Sequence, residues 1–336
     1  MDHHQPAMTG TLDDLTLYVP IRDRRCCVPR VLKYYENLPC RKLLVDSTRP
    51  EYGKPLTKDS HIGSFEYHWV GSTILYHQKI HLILHDIVNT PFVADTADDD
   101  VILKTSLMKT VQWLRDHDDY ALCDGEYANL LEDGTIKGRN PGTYYAMTTK
   151  QPYSSKPSER LRNALRYYLG RNHATMRTSV SKQIFQVFHD HYNLQAIKFI
   201  DRVFTATAGI KGNFKTLPLL YQIKTNRGRL THKPRMMKEL RFGIRIKEHL
   251  DDLRPVSEIL AVDEPMDIEE AHALVKANMD EALRPKLRFR RNHQYDDVYV
   301  PSFTGNGQKQ QITEVIDAIR DHDLDDPVWP RALNPR

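Results

Sequence analysis

Hydrophobic residues open the chain in short blocks with polar segments between them. Leu15 to Ile21 (LTLYVPI) is a β-rich run that breaks at Arg22-Asp23-Arg24-Arg25. Pro29 suits the first turn of a helix carrying Val31, Leu32, Tyr34, Tyr35 and Leu38. Leu43 to Asp46 (LLVD) has the pattern of a second buried strand, stopped by Ser47 and Thr48. The opening thus predicts strand, helix, strand, the βαβ unit of a parallel sheet. His61 to Val70 reads as a short loop and strand. Lys79 to Val88 carries Ile80, Ile83, Leu84, Ile87 and Val88 at helical spacing, and Phe92–Val93 begins the next strand. Thr105 to Arg115 is amphipathic, with Leu107, Met108, Val111 and Leu114 on one face. Tyr120 to Cys123 predicts another strand. Asp133-Gly134 and Lys137-Gly138 then punctuate a hairpin-like segment ending near Tyr144–Met147.

Beyond the turn-rich stretch Pro152 to Pro157 the pattern becomes mainly helical, over Glu159–Leu169, Val180–His189 and Leu194–Thr207. Gly209 and Gly212 interrupt it, and Leu217 to Ile223 comes next. Residues 235–283 are again helical in pattern, as is Gln311–Asp321. No internal repeat or low-complexity tract is visible. The expected fold class is α/β, a mostly parallel sheet flanked by helices, with a helical C-terminal region. Residues 1–12 form a polar tail, 13–150 the α/β domain, 151–234 a helical part joined to it, and 235–336 an extension.

Composition narrows the class. The chain has 336 residues, 40% of them hydrophobic and 27% charged, as in ordinary globular proteins. A net charge of +4 with both signs mixed argues against a nucleic-acid partner, which calls for basic residues gathered on one face. No run is apolar enough to span a bilayer, and MDHHQPAMTG lacks the apolar core of a signal peptide, so a cytoplasmic location is expected. Cys26, Cys27, Cys40 and Cys123 show no zinc-type spacing, which fits reduced thiols.

The candidate chemistry centres on Thr90 to Val101 (TPFVADTADDDV), where an apolar run stops at Asp98, Asp99 and Asp100. Adjacent carboxylates repel, so all three are expected outside the sheet, at the C-terminal end of a strand. Hard oxygen ligands of this kind suit Mg²⁺ or Mn²⁺ shared with substrate phosphates. Arg22 and Asp23, expected as an ion pair, come after the first strand, and Asp46 and Ser47 after the second. Ligands of open α/β sheets bind outside the carboxyl ends of the strands, so these points converge on one crevice. No Gly-rich phosphate loop succeeds the first strand, which disfavours a dinucleotide-binding or P-loop enzyme. His173 and Arg177 are four apart, on one face if the segment is helical, and are candidates to hold acceptor hydroxyls or phosphate. Arg284 to Arg291 (RPKLRFRR) interleaves Leu287 and Phe289 with charge, a pattern suited to peripheral contact with an anionic membrane.

The stretch from Leu15 to Arg49 resembles the opening of family-2-type glycosyltransferases of the GT-A fold, in which a strand ending VIPTYNR leads to a helix and a strand ending Asp-Ser. TPFVADTADDDVILKTSLMKTVQWLRDHDDYALCDGEY resembles that family's metal-binding DxD strand together with its downstream helix and strand. ERLRNALRYYLGRNHATMRTSV and IKFIDRVFTATAGIKG are similar to a subgroup's acceptor-side helices. The resemblance covers roughly residues 14–228 and implies a GT-A-like nucleotide-diphospho-sugar transferase fold over 13–150 with an acceptor-side part over 151–234. It implies transfer of a sugar from a nucleotide-sugar donor, UDP-sugar favoured, to a glycan or lipid-linked hydroxyl acceptor, with Mn²⁺ or Mg²⁺ and inversion. Pro20, Ile21 and Arg22 would cradle base and ribose, Asp46 with Ser47 the base, Asp98 and Asp99 the donor, and Asp100 with Asp98 the metal. Asp201 would be the catalytic base, with Asp190 as its rival. IRDR stands where the family has Thr-Tyr-Asn-Arg. Two other classes stay open: an NDP-sugar nucleotidyltransferase, for which the Gly-rich loop is missing, and a non-catalytic carbohydrate- or partner-binding protein with a decayed site.

Overall fold

The computed structural model describes residues 11–56, 60–130, 136–138, 152–166, 172–191, 200–225 and 250–283, together with residue 313. β1 (Leu15–Ile21), α1 (Val28–Tyr35) and β2 (Arg41–Asp46) form the predicted βαβ unit, with Pro29 in the first turn of α1 and β1 parallel to β2. β3 (Ser60–Ile62) and β4 (Phe65–Trp69) make a hairpin, and β4 lies parallel to β2. α2 (Tyr76–Leu82) runs into one π-helical turn at Ile83–Ile87 before β5 (Phe92–Asp95), which pairs parallel with β1. After it come β6 (Asp100–Ile102), α3 (Lys104–Asp116), β7 (Tyr120–Leu130) and β8 (Ile136–Gly138), the last closing the expected hairpin on β7.

The part beyond residue 152 is less helical than its pattern suggested. α4 (Pro157–Arg166), α5 (Thr178–Asp190) and α6 (Ile200–Lys211) are present, but β9 (Thr175–Arg177) and β10 (Asn213–Thr225) are strands of the same sheet. Gly209 does not interrupt α6; a Cβ there would stand 2.6 Å from that of Ala164, so glycine lets α6 approach α4 closely. Two more helices, α7 (Arg254–Asp263) and α8 (Ile268–Leu283), pack on α4 and α6 and form the helical C-terminal region. The expectations for residues 194–199, 235–249, Arg284–Arg291 and most of Gln311–Asp321 lie outside the described residues, as do those for Asp133-Gly134 and Tyr144–Met147. No helix among the described residues is long and apolar enough to cross a membrane.

The fold is α/β. Strand order is β3-β4-β2-β1-β5-β9-β7-β10-β6, with β8 paired to β7. Because β9 is antiparallel to both β5 and β7, and β10 is parallel to β7, the strands β4, β2, β1, β5, β7 and β10 all point one way. Alternate residues of each strand enter cores on opposite faces. Tyr18, Leu43, Val45 and Val93 face the layer of α2, α4, α5 and α6. Leu17, Val19, Leu44 and Ala94 face α1 and α3. Burial on both faces leaves the strand ends as the places where polar side chains gather. The C-terminal ends of β1, β2 and β5 share one edge with the starts of β6 and β9.

Candidate active site

At the end of β1 the chain turns through Asp23, whose φ of 61° lies in the left-handed region that Asp tolerates better than most residues. Its carboxylate secures the turn: Oδ1 accepts the Arg49 amide at 2.9 Å and Oδ2 the Arg49 Nε at 2.8 Å. These bonds, with the Arg49 charge, outweigh burial and hold Asp23 below the usual carboxylate range. Its ion-pair partner is therefore Arg49 rather than Arg22, whose Nη1 donates to Ile74 O at 3.3 Å.

Asp46 closes β2 and is fully buried. Oδ2 accepts Arg25 Nε at 2.8 Å and the Tyr67 hydroxyl at 2.7 Å, while Oδ1 accepts the Thr48 amide at 2.8 Å. Burial opposes ionisation here, but the bonds from Thr48, Tyr67 and Arg25 prevail and hold the pKa low. The carboxylate is committed to the protein on both oxygens. Lys79, on α2, reaches under the β1 and β2 ends and donates to Ile21 O and Ser47 Oγ, both at 2.9 Å. Burial pulls its pKa down to about 8 against the charges of Asp98 and Asp46.

β5 ends at Asp95, three residues short of the aspartate triplet. Asp95 is buried; its Oδ1 lies 2.8 Å from His173 Nδ1, and its Oδ2 accepts the Tyr76 hydroxyl at 3.0 Å. Burial disfavours the imidazolium of His173, yet the charge and hydrogen bond of Asp95 overcome it and raise the pKa. His173 precedes β9 instead of lying in a helix, so it does not share a helix face with Arg177. Arg177 ends β9 and donates to Tyr120 O, Leu114 O and His117 O at 2.7–2.9 Å, tying β9 to the α3–β7 turn.

The triplet itself divides. Asp98 and Asp99 occupy the turn after β5, but Asp100 opens β6 in register with Lys224 of β10. It enters the sheet because the neighbouring strand neutralises it: Lys224 Nζ lies 3.9 Å from its Oδ2, which also accepts Gln222 Nε2 at 3.3 Å. Arg24 bridges the other two, pairing with Asp98 Oδ1 and Asp99 Oδ2 at 2.5 Å each. The contact with Asp98 is an ion pair lacking hydrogen-bond alignment. Burial, with Asp99 alongside, pushes Asp98 up to about 7 in spite of Arg24. Among the described residues no three His, Cys, Asp or Glu are grouped to hold a metal ion. As arranged, the carboxylates of the triplet are engaged by Arg24, Gln222 and Lys224.

Above the edge lies a cleft of about 380 Å³. Pro20, Arg22, Arg24, Ser47 and Lys79 line it, together with Tyr76, Ala97, Asn172, His173 and Asp201. Asp201 stands exposed in the first turn of α6, where the Asn172 amide donates to its Oδ1. Asp190 is at the exposed end of α5, held by Gln186 Nε2 at 2.7 Å, and is not part of the lining. Ile21 sends its side chain into the core and offers only its carbonyl. The structure thus gathers Pro20, Arg22, Ser47, His173 and Asp201 in the lining of one cleft and leaves Asp46, Asp98, Asp99, Asp100, Arg177 and Asp190 outside that lining.

Arg24, Lys79, Tyr76, Asp95 and Asn172 were not singled out from the sequence. Asp95 had a signal, since it ends the apolar run FVAD. Lys79 had none beyond its place in an amphipathic helix.

No protein-family model and no curated protein matches the chain. Solved structures from S. aureus are similar to it. TarS 1–349 is 11% identical at a TM-score of 0.49, over 92% of this chain and 80% of that one. TarS 1–349 in complex with UDP is 13% identical at 0.43, over 85% and 94%. Against the longer TarS chain the identity is 12% and the TM-score 0.40, and the match spans 54% of that chain. At such scores none of these likenesses carries an argument about this protein.

Proposed function

We propose that this protein is a glycosyltransferase that moves a sugar from a nucleotide-sugar donor to a hydroxyl acceptor. The supporting observation is one cleft at the strand ends lined by two kinds of residue. Arg22, Arg24 and Lys79 bring positive charge, which suits a diphosphate, and Asp201 and His173 bring titratable groups to the same lining. The sequence resemblance assigns donor binding to Pro20–Arg22, at the base and ribose, and the role of base to Asp201. Three cations at a strand-end crevice suit a nucleoside diphosphate as leaving group.

In the reaction the anomeric carbon–oxygen bond to the diphosphate breaks, and the electron pair leaves on the diphosphate oxygen. The acceptor oxygen forms the new bond from the opposite face, giving inversion, and Asp201 takes its proton. Asn172 orients that carboxylate. His173, fixed by Asp95, borders the same space and holds an acceptor hydroxyl or a phosphate oxygen. The resemblance adds a divalent ion; since the triplet is held by Arg24, Gln222 and Lys224, no step is routed through it.

The test is calorimetric titration of UDP, GDP, dTDP and CDP into the protein, with Asp201→Asn beside the wild type. One nucleoside diphosphate is expected to bind both proteins. Absence of binding by all four, with and without Mn²⁺, would remove the reading.

A further inference from the structure

The charges around the aspartate triplet favour an anion over a cation. Arg24 spans Asp98 and Asp99 at 2.5 Å. Arg30, buried, donates to the Asp98 carbonyl at 2.9 Å. Lys79 approaches from α2, and Arg24, Lys79 and Arg30 all act electrostatically on the Asp98 carboxylate. A divalent ion at Asp98 would sit among three positive groups, and like charges at such range in a half-buried site repel strongly. Asp100, the other carboxylate of the DxD spacing, is occupied by Gln222 and lies beside Lys224.

Meanwhile Arg22, Arg24 and Lys79 border the cleft itself. Arg24 keeps 35% of its side chain exposed and lines the cleft while its Nη1 and Nη2 pair with Asp99 and Asp98. Guanidinium groups meet phosphate oxygens with two parallel N–H bonds, and the planar fork fits a diphosphate better than a point charge does. Lys79 is anchored from below by Ile21 O and Ser47 Oγ, which fixes a third positive charge at the floor without its own flexible search.

We propose that Arg22, Arg24 and Lys79 bind the nucleoside diphosphate directly, with Arg24 supplying the charge neutralisation that the DxD resemblance assigns to a divalent ion. The inference rests on the reading of the cleft as a nucleotide-sugar site and departs from it on one point, the metal. Asp98 and Asp99 then act as positioning residues that hold Arg24 at the cleft wall.

The experiment is titration of the same four nucleoside diphosphates into the full chain, once in EDTA and once in excess Mn²⁺. The expected result is binding of one nucleotide with equal affinity in both. Arg24→Gln should weaken binding in EDTA about ten- to a hundredfold, the range for losing charged hydrogen bonds. Thermal melting accompanies this variant and Lys79→Met, because the buried lysine is part of the floor and Arg24→Gln leaves the buried Asp98 carboxyl without its ion-pair partner. Both are expected to melt below the wild type, and affinity is read at a temperature where they remain folded. Binding that appears only with Mn²⁺ would overturn the inference and leave the glycosyltransferase reading standing. Undiminished affinity of folded Arg24→Gln in EDTA would also overturn it. Failure of every nucleotide in both buffers would instead reject the donor-site reading on which it rests.

Discussion

Replacing Asp46 by Asn separates two roles for the residue that ends β2. The resemblance makes it a ligand of the nucleotide base, whereas its contacts make it a structural anion. The carboxylate is fully buried, and its partner Arg25, at 2.8 Å, has only 11% of its side chain exposed. Removing one member of a buried ion pair costs about 3–5 kcal/mol, because the other charge remains without compensation. Asn keeps one oxygen for Thr48 or Tyr67, so the lower end, about 3 kcal/mol, is expected. That is a large share of the roughly 5–15 kcal/mol by which domains are stable. Urea denaturation should show a lower midpoint with an unchanged slope. The deficit also has a pH signature. Asp46 has a folded pKa below its ordinary 3.8, so its contribution is complete above that value and fades as pH falls through the folded pKa. Wild type and variant should converge in strong acid. A variant as stable as the wild type that has nevertheless lost nucleotide binding would refute this reasoning and make Asp46 a ligand group.

Three further outcomes are expected of the same structure. Glu126, 5% exposed and pushed up to about 7 by burial, is ordinarily ionised above 4.5, so it destabilises the fold increasingly as pH rises from 4.5 through 7. Glu126→Gln should remove that slope and gain about 3 kcal/mol at pH 8, read by melting across pH. Lys79 gives up its proton near pH 8 in the folded chain, so nucleotide affinity should decline as pH passes 8. Stability should rise over the same interval up to the ordinary lysine value, since the unfolded chain then binds more protons, and the opposite signs separate the two effects. Gly209→Ala should lower stability by about 1 kcal/mol, the roughly 1–3 kcal/mol of overpacking against Ala164 being partly offset by helix propensity. A stabilised variant would show that α4 and α6 yield freely.

The first half of the fold was legible because its elements carry clean periods. β1, α1 and β2 are short, strongly apolar and punctuated by Pro29 and Ser47, so local pattern suffices. β9 and β10 were not legible. β9 has three residues and is defined by the neighbours it joins, β5 and β7. β10 contains Pro218, and its register against β7 shifts on either side of Leu220, which breaks the alternation that marks a strand. Missing β9 also led to the pairing of His173 with Arg177 on one face. In the site, strand-end residues such as Arg22, Ser47 and Asp46 were readable from position. Lys79, Tyr67 and Arg24 were not, because each acquires its role from a partner 21 to 75 residues away. The aspartate triplet was conspicuous in sequence, and the arginine that neutralises it can be recognised only in three dimensions.

Sugar transfer itself is the most direct test. UDP-, GDP-, dTDP- and CDP-sugars should be incubated with the wild-type protein and with Asp201→Asn in the presence of glycan and other hydroxyl acceptors to take the sugar, and released nucleoside diphosphate measured. The account predicts release by the wild type from one donor class, and loss of that release by at least about a hundredfold in Asp201→Asn with nucleotide binding retained. Equal release by both proteins would contradict the role of Asp201, and binding without release from any donor would make the cleft a nucleotide-binding site without transferase chemistry.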